Sequence, residues 1–221
     1  MLTKEELKNP EFSYFIGAVQ GDGSYGKYVD RTKGKFRTTL SLNANDLEMV
    51  GKCADIFNFS FERNVSIGKR KNDKTLGFST TVNSLVTIFS ELRIDFSDPP
   101  KPPNWISQNI KLFGPYMAGL IDSDGSVAVK RKKYPQCAIR IISGYRQEQL
   151  KIVVERMLNC KSSIEETGQF VKEWENWYPA FRLSFLVSKK NWKIIEKNVL
   201  PFITLSRKRI KIEHYLKKFA S

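Results

Sequence analysis

The sequence lacks the features that mark membrane and secreted proteins. No apolar run approaches the roughly 20 residues that span a bilayer, and the first residues, MLTKEELKNP, contain no apolar segment typical of a signal peptide. The cysteines Cys53, Cys137 and Cys160 are far apart and form no C-x-x-C pair. We therefore expect an intracellular protein with reduced thiols and no membrane partner, in the cytoplasm, the nucleoid or an organelle.

Histidine is nearly absent as well. His214 is the only histidine in 221 residues. This excludes zinc sites built on histidine clusters, and also Ser-His-Asp and Cys-His catalysis. Any chemistry must then use carboxylates, lysines and oxygen-preferring metals such as Mg²⁺.

Positive charge, in contrast, is abundant. The chain has 37 Lys and Arg against 23 Asp and Glu, a net charge of +14 at pH 7, and 41% of its residues are hydrophobic. The length allows one or two domains with packed cores. Because the basic residues are spread along the chain, the folded body itself is expected to attract polyanions, first of all nucleic acid.

A repeated segment divides the chain into two halves. YFIGAVQGDGS, which starts at Tyr14, aligns with YMAGLIDSDGS, which starts at Tyr116. Between them, four of the five residues 99–103 are proline, which excludes helix and central strand and predicts a stiff linker. The chain therefore reads as a duplicated domain, with a first half at 1–98, a linker at 99–104 and a second half at 105–221.

Hydrophobic periodicity predicts the same element order in both halves, α-β-β-α-β-β-α. After each repeated helix we expect strands near 24–29, 36–42, 61–67 and 76–82 in the first half, and near 126–130, 138–142, 163–171 and 180–187 in the second. The remaining helices are expected at 46–57, 83–92, 147–158 and 190–200. The predicted class is α+β, with a four-stranded antiparallel sheet in each half.

Small residues in the repeated helices are spaced for close helix packing. Gly17 and Gly21 share a face, as do Gly119 and Ser123, and Ala18 and Ala118 add small neighbours. The natural partners are the two copies of the segment, related by a pseudo-two-fold axis. Packing of each helix on its own sheet is the alternative.

An acidic residue ends each repeated segment, directly before a glycine that can cap the helix. Asp22 and Asp124 would then face the negative ends of the helix dipoles. The pseudo-symmetry would bring both carboxylates to one end of the helix pair, where they repel unless cations lie between them. Hard divalent cations suit such oxygen ligands.

These residues resemble a known family. MAGLIDSDG (117–125) resembles the LAGLIDADG motif closely, and FIGAVQGDG (15–23) is a more diverged copy. Over nearly its whole length, the chain resembles a single-chain, two-motif LAGLIDADG homing endonuclease.

The resemblance implies a fold and an activity. In the family, the two motif helices form the interface between the halves, and two saddle-shaped sheets lie in the DNA major groove. Asp22 and Asp124 would bind divalent metal, joined by the backbone carbonyls of Gly21 and Ser123. Mg²⁺ is the expected cofactor, with Mn²⁺ able to substitute and Ca²⁺ binding without efficient turnover. The expected enzyme is a monomer that cuts both strands of double-stranded DNA with short 3′ overhangs.

Departures from the family pattern concern the auxiliary residues. Gln20 stands where the motif has its first acid, which Asp122 retains; that acid is usually structural. Only Asn45 remains of the polar residues that relatives carry at the end of the second strand. Lys101 and Lys208 fall near the places of an active-site lysine, unless they are solvated surface lysines.

Basic residues cluster on the predicted strands and their end loops. Alternation puts Lys35, Arg37, Thr39 and Ser41 on one face and Phe36, Leu40 and Leu42 on the other, as expected for a sheet laid against DNA. The lysines would hold phosphates and the arginines read bases, although the run at 130–133 could be merely solvated. The candidate DNA-binding residues are Lys27, Arg31, Lys33, Lys35, Arg37, Thr39, Arg63, Lys69, Arg70, Lys71, Lys130, Arg131, Lys132, Lys133, Arg140, Lys172 and Arg182.

The two halves also differ. Trp174, Glu175, Trp177 and Tyr178 have no counterpart in the first half, so we expect an asymmetric target, roughly 20 bp long if each sheet covers about one helical turn. Two alternatives stay open: an RNA-binding intron maturase on the same scaffold, and a transcription factor derived from the fold.

Overall fold

The computed structural model describes residues 1–30, 34–69, 75–131, 133–171 and 176–220. The first half contains helices α1 (Pro10–Asp22), α2 (Leu47–Phe61) and α3 (Val86–Glu91), and strands β1 (Gly23–Asp30), β2 (Lys35–Ala44), β3 (Gly68–Lys69) and β4 (Leu76–Thr81). The second half contains helices α4 (Asn104–Ser107), α5 (Ile110–Asp122), α6 (Glu148–Leu158), α7 (Trp192–Asn198) and α8 (Ser206–Tyr215), and strands β5 (Gly125–Lys130), β6 (Gln136–Ser143), β7 (Ser162–Glu166), β8 (Gln169–Val171), β9 (Asn176–Tyr178) and β10 (Phe181–Val187). No helix in these described ranges is long and apolar enough to cross a membrane.

Each half is built on an antiparallel sheet of the same topology. The strand order is β1-β2-β4-β3 in the first sheet and β5-β6-β10-β7 in the second. Strands β8 and β9 pair separately as a hairpin. The predicted α+β class, with a four-stranded antiparallel sheet in each half, is confirmed.

One face of each sheet is buried beneath the helices. In β2, Leu40 and Leu42 are fully buried, while Thr39 and Ser41 between them are partly exposed. In β6, Ile139 and Ile141 are buried in the same way. The buried side chains of both halves belong to one hydrophobic cluster. The opposite, polar faces therefore remain available to a ligand.

Asparagine caps start both motif helices earlier than the apolar pattern suggested. The Asn9 side chain accepts a hydrogen bond from the Phe12 amide at 2.8 Å, with Pro10 in the first helical turn. Asn109 accepts one from the Lys111 amide at 3.0 Å. Such caps satisfy amides that lack a partner within the helix, so each motif helix begins several residues before its conspicuous motif.

Three element predictions need correction. The strand expected at 61–67 is wrong, because Phe61 completes α2 and the Asn58 side chain holds the returning chain, accepting from the Val65 amide at 2.7 Å. The strand expected at 163–171 is split between the sheet and the β8–β9 hairpin. Helix α8 was not predicted, since its charged sequence SRKRIKIEHY shows little apolar pattern.

Candidate functional site

The motif helices α1 and α5 pack against each other at backbone distance. A Cβ atom at Gly17 would lie 2.1 Å from the Tyr116 carbonyl oxygen, and one at Gly119 would lie 2.2 Å from the Tyr14 carbonyl oxygen. Ala18 and Ala118 are fully buried. The expected packing of the two copies against each other is therefore confirmed, and the alternative of each helix packing only on its own sheet is excluded.

A reciprocal pair of hydrogen bonds joins the two helices. The Tyr14 hydroxyl donates to Asp122 Oδ2 at 2.8 Å, and the equivalent Tyr116 hydroxyl donates to Gln20 Oε1 at 2.6 Å. All four side chains are buried. Because an amide oxygen and a carboxylate both accept a hydrogen bond, Gln20 replaces the motif's first acid without losing this contact.

The same two positions also anchor the chain that follows α3 in the first half and α7 in the second. Asp122 accepts hydrogen bonds from the amides of Thr204 at 2.7 Å and Leu205 at 3.2 Å. Gln20 Nε2 donates to the carbonyl oxygens of Lys101, at 3.0 Å, and Asp95. Both side chains thus have their hydrogen-bonding groups engaged within the fold, as a structural role requires.

The second acids of the two motifs lie together at one end of the helix pair. A Cβ atom at Gly21 would lie 2.0 Å from Ser123 Oγ and 3.3 Å from the Asp124 amide nitrogen. Burial is the main cause that raises the pKa of Asp22 to about 6, a net value that includes a lowering effect of Lys208 and a smaller raising effect of the Asp46 carboxylate. Burial, followed by repulsion from Asp22 and Asp98, raises the pKa of Asp124 to about 7.

The expected glycine caps take a different form. Gly23 has φ −90° and ψ 172°, an extended conformation, and Asp124 lies two residues beyond the end of α5 instead of in its last turn. These glycines are needed for space, not for a left-handed turn. A Cβ at Gly23 would lie 2.4 Å from the Val19 carbonyl oxygen, and one at Gly125 would lie 2.4 Å from Ile121 Cα.

Lys208 lies buried at the carboxyl end of α5. Its ammonium donates to the carbonyl oxygens of Ile121 at 2.6 Å, Asp122 at 2.8 Å and Ser123 at 3.2 Å. It therefore satisfies carbonyls that the helix leaves without partners. Burial lowers its pKa, while Asp122, Asp46 and Asp22 oppose that shift. The alternative that Lys208 is a solvated surface lysine is therefore excluded.

The other auxiliary candidates, Lys101 and Asn45, are less buried than Lys208. The Lys101 ammonium is 3.8 Å from the Asp95 carboxylate, its ion-pair partner. Asn45 is exposed at the end of β2, in a pocket with Asp46 and Arg207.

Three charged residues near the acids were missed by the sequence analysis. Asp98 accepts hydrogen bonds from the Ser143 hydroxyl and from the Gly144 amide at 3.0 Å. Arg207 donates to Asp46 Oδ2 at 2.6 Å. Comparison of the segments after α3 and α7, IDFSD and ITLSR, would have drawn attention to Asp98 and Arg207, because their buried residues alternate in the same way.

The donors at this end of the helix pair are oxygen atoms. Asp22 and Asp124 are the carboxylates that could hold a metal ion, and the backbone carbonyls of Gly21 and Ser123 are the further ligands expected from the sequence; that of Ser123 accepts from Lys208. Within the described ranges, no group of three or more His, Cys, Asp and Glu residues is arranged to hold a metal ion. Two partly buried carboxylates, of which Asp22 raises the pKa of Asp124, suit a hard divalent cation, which would relieve their repulsion.

Comparison with solved structures identifies the architecture. I-DmoI in complex with DNA and Ca is similar to this chain with a TM-score of 0.60 and 15% identity, over 93% of this chain and 97% of that one. The I-LtrWI LAGLIDADG homing endonuclease bound to target DNA gives 0.57 and 14%, over 98% and 92%. A variant of I-SmaMI gives 0.55 and 13%, over 95% and 89%. The chain has the LAGLIDADG homing-endonuclease fold.

Sequence comparison alone does not reach this result. No protein-family model matches the chain, and no curated protein matches it. The LAGLIDADG fold is thus recognised through its two motif helices and its duplicated sheets, and not through overall sequence similarity.

The outer face of the first LAGLIDADG sheet carries a mixed polar and basic surface. Strand register places Arg37 opposite Tyr28, and Thr39 opposite Gly26 and Thr81, on the face that also bears Lys35. Lys27 lies opposite Thr38, on the other face, with its ammonium 4.3 Å from the Phe36 ring centre. Phe36 was expected in the core but is 61% exposed, because β2 extends beyond the helices.

The outer face of the second sheet is more strongly charged. Arg140 lies opposite Ser126 and Ser184, and Lys130 lies opposite Gln136 at the strand ends. Arg182 forms an ion pair with Glu165 at 2.5 Å, and this pairing is the main cause that lowers the pKa of Glu165. An acidic side chain therefore lies within the basic surface.

The remaining DNA-binding candidates lie in loops or beyond the described residues. Arg63 donates to the Ser84 hydroxyl at 2.7 Å, and Lys69 is exposed on edge strand β3. Arg131 and Lys133 are exposed after β5. Outside the described residues are Arg31, Lys33, Arg70, Lys71, Lys132 and Lys172, together with Trp174 and Glu175.

Proposed function

We propose that this protein is a site-specific DNA endonuclease that uses divalent metal to cut both strands of a long asymmetric target, roughly 20 bp, leaving short 3′ overhangs. The observation that carries the proposal is the pairing of Asp22 with Asp124. The two acids come from equivalent places in a repeated motif, and close helix packing brings them to one end of a pseudo-two-fold interface.

The protein donors for the metal are Asp22, Asp124 and the carbonyl of Gly21, with that of Ser123 shared with Lys208. Mg²⁺ is the proposed cofactor, Mn²⁺ would substitute for it, and Ca²⁺ would support binding without efficient cutting because its looser coordination positions water poorly. When bound, the ion supplies Lewis acidity for phosphodiester hydrolysis. Burial of the two carboxylates keeps competing water away from them and strengthens their attraction for a cation.

Lys208 has a supporting role in this proposal. Its three carbonyl contacts fix the ammonium beside both motif acids. There it reduces the repulsion between the carboxylates and offers a positive charge to a DNA phosphate. Lys101, paired with Asp95, and Asn45, exposed at the end of β2, are proposed only as groups that DNA or solvent could recruit.

Double-stranded DNA is the proposed partner, bound by a monomer through the outer faces of both sheets. Lys35, Arg37 and Thr39 would contact it from the first sheet, and Lys130, Arg140 and Arg182 from the second. The loop residues Arg63, Arg131 and Lys133 and the edge residue Lys69 would add phosphate contacts, whereas Lys27 would reach DNA only around the sheet edge.

A plasmid cleavage assay tests the proposal. The target is obtained by joining the sequences that flank the coding region, or by selection from randomised DNA. With Mg²⁺ or Mn²⁺ the wild-type protein should linearise a plasmid that carries the target, and EDTA should stop the reaction. Asp22→Asn and Asp124→Asn should each lower cleavage by at least about 100-fold, because Asn lacks the charge that holds a divalent cation.

Binding and a matched variant complete the experiment. Gel-shift affinity should stay near that of wild type for both variants, because the sheets carry the DNA contacts. Asp55→Asn, which removes an exposed carboxylate from α2, should behave as wild type. Near-normal linearisation by both motif variants, or undiminished cutting in EDTA, would contradict the mechanism and favour an RNA-binding maturase or a non-cleaving DNA-binding protein.

A further inference from the structure

The segments that follow α3 in the first half and α7 in the second have the same pattern of buried residues but end in residues of opposite charge. In the first half, Ile94 and Phe96 are buried and Asp98 follows them at the next alternate position. In the second half, Ile203 and Leu205 are buried and Arg207 follows in the same way. Asp98 and Arg207 are therefore structural counterparts.

Each counterpart reaches across to the other half of the molecule. Asp98 accepts hydrogen bonds from the Ser143 hydroxyl and, at 3.0 Å, from the Gly144 amide, where β6 ends. Arg207 donates at 2.6 Å to Asp46, the residue before α2. The first half thus contributes a carboxylate to the second, and the second contributes a guanidinium to the first.

These crossing residues lie beside the paired acids. The Ile142 amide donates to the Asp124 carbonyl at 3.4 Å, so the end of β6 that holds Asp98 runs next to Asp124. Asp46 is among the carboxylates that raise the pKa of Asp22, as Asp98 is for Asp124. Beside Asp22, the neighbouring carboxylate of Asp46 is neutralised by Arg207. Beside Asp124, within the described part of the chain, the neighbouring carboxylate of Asp98 accepts only from neutral groups, the Ser143 hydroxyl and the Gly144 amide.

We propose that this exchange makes the two halves of the cleavage site unequal, with Asp98 strengthening divalent-cation binding beside Asp124, so that the strand facing Asp124 is cut first. The inference rests on the proposed function. Each cut is a hydrolysis: a water oxygen bonds to phosphorus and gives up a proton to solvent, the bond from phosphorus to the 3′ oxygen breaks, and the leaving 3′ oxygen takes up a proton from solvent.

Binding of Mn²⁺ to the free protein tests the metal part without requiring activity. Free Mn²⁺ is measured by electron paramagnetic resonance during titration. Asp98→Asn should weaken the tighter binding step by about tenfold, as expected for loss of one charge near a divalent ion. Asp55→Asn should leave the binding curve unchanged, and Asp124→Asn should remove the tighter step.

Ser143→Ala separates charge from anchoring. This variant loses the hydroxyl that holds Asp98 but keeps the carboxylate, so its effect on Mn²⁺ binding should be clearly smaller than that of Asp98→Asn. Equal effects of the two variants would show that Asp98 only fixes the linker, and would overturn the inference.

Strand-specific labelling at limiting Mg²⁺ tests the order of cutting. Wild type should accumulate DNA nicked in one strand, and Asp98→Asn should abolish that preference. If Asp124→Asn weakens Mn²⁺ binding while Asp98→Asn matches wild type in binding and in nicking order, only this inference fails. If Asp124→Asn leaves Mn²⁺ binding unchanged, the metal site of the proposed function fails instead.

Discussion

At the residue scale, the two paired acids are held at the expense of folding free energy. Burial raises the pKa of Asp22 to about 6 and that of Asp124 to about 7, both above the ordinary value near 3.9. Because the folded-state pKa exceeds the unfolded one, ionising either carboxyl destabilises the metal-free protein. This destabilisation is absent below about pH 4, where both carboxyls are protonated, and is complete above about pH 7, where both are ionised.

This cost predicts that neutralising an acid stabilises the metal-free protein. In the presence of a chelator at pH 8, Asp124→Asn should raise the melting temperature by about 2–4 °C for each kcal/mol of destabilisation that the substitution removes. The difference from wild type should shrink towards pH 4, where the carboxyl of the wild-type protein is protonated. Thermal melts at several pH values measure this, and a gain independent of pH would assign the effect to packing instead of charge.

The contacts of Gln20 explain why the first acid position of the motif tolerates an uncharged side chain. Gln20 receives the Tyr116 hydroxyl and donates to two backbone carbonyls, contacts that need hydrogen-bonding capacity but no charge. Among the described residues, Asp22 and Asp124 have no such set of hydrogen-bond partners, and they lie at the end of the helix interface, where a charge would serve a cation. In the proposed function, the same motif therefore contains one structural acid position and one metal-binding acid position.

At the scale of elements, the α1–α5 pair depends on glycine at its contact points. Close approach of the two backbones leaves no room for a methyl group, since a Cβ at Gly17 would lie 2.1 Å from a carbonyl oxygen of α5. Relief of this overlap requires the helices to separate, which would also displace the acids at their end.

Alanine substitutions test this dependence with a built-in control. Gly17→Ala should destabilise the protein by about 2 kcal/mol or more through overpacking and should reduce cleavage further than its stability loss explains. Gly51→Ala lies within α2, where a Cβ meets nothing within 4 Å, and should instead stabilise by about 0.4–1 kcal/mol. Chemical denaturation measures both, and similar losses for the two variants would show that the contact is not critical.

At the scale of the whole molecule, a charge of +14 acts together with the exposed outer sheet faces. In the proposed function, long-range attraction would bring DNA to the protein, whereas residues on the outer faces would determine where it lies. The ion pair between Arg182 and Glu165 would limit base contacts by this surface, because Arg182 must break or share its bond to Glu165 before it can contact a base.

The salt dependence of binding locates the DNA face. Lys35→Ala should reduce the slope of log K against log salt by about 1 if the lysine neutralises one phosphate. Arg140→Ala should instead relax preference at one base pair. Lys197→Ala removes the same charge as Lys35→Ala, but from the exposed surface of α7, and should leave the slope unchanged. Equal slopes for Lys35→Ala and Lys197→Ala would place the DNA elsewhere.

The sequence by itself determined the duplicated order of elements, the antiparallel α+β class, the helix pair and the two paired acids. These features follow from local periodicity and from a repeated motif, both of which are visible within short stretches of chain. It misjudged the return of the chain after α2 and missed α8, because the charged stretch at 206–215 shows no clear apolar periodicity and is positioned by tertiary contacts.

Only the tertiary structure decided which charged side chains meet the acids. Lys208 reaches the end of α5 from 85–87 residues away, and Asp98 and Arg207 cross between the halves. Lys27 and Lys35, similar in sequence context, lie on opposite faces because strand register separates them. Such contacts depend on how distant elements pack, and pairing at long range leaves no local pattern in the sequence.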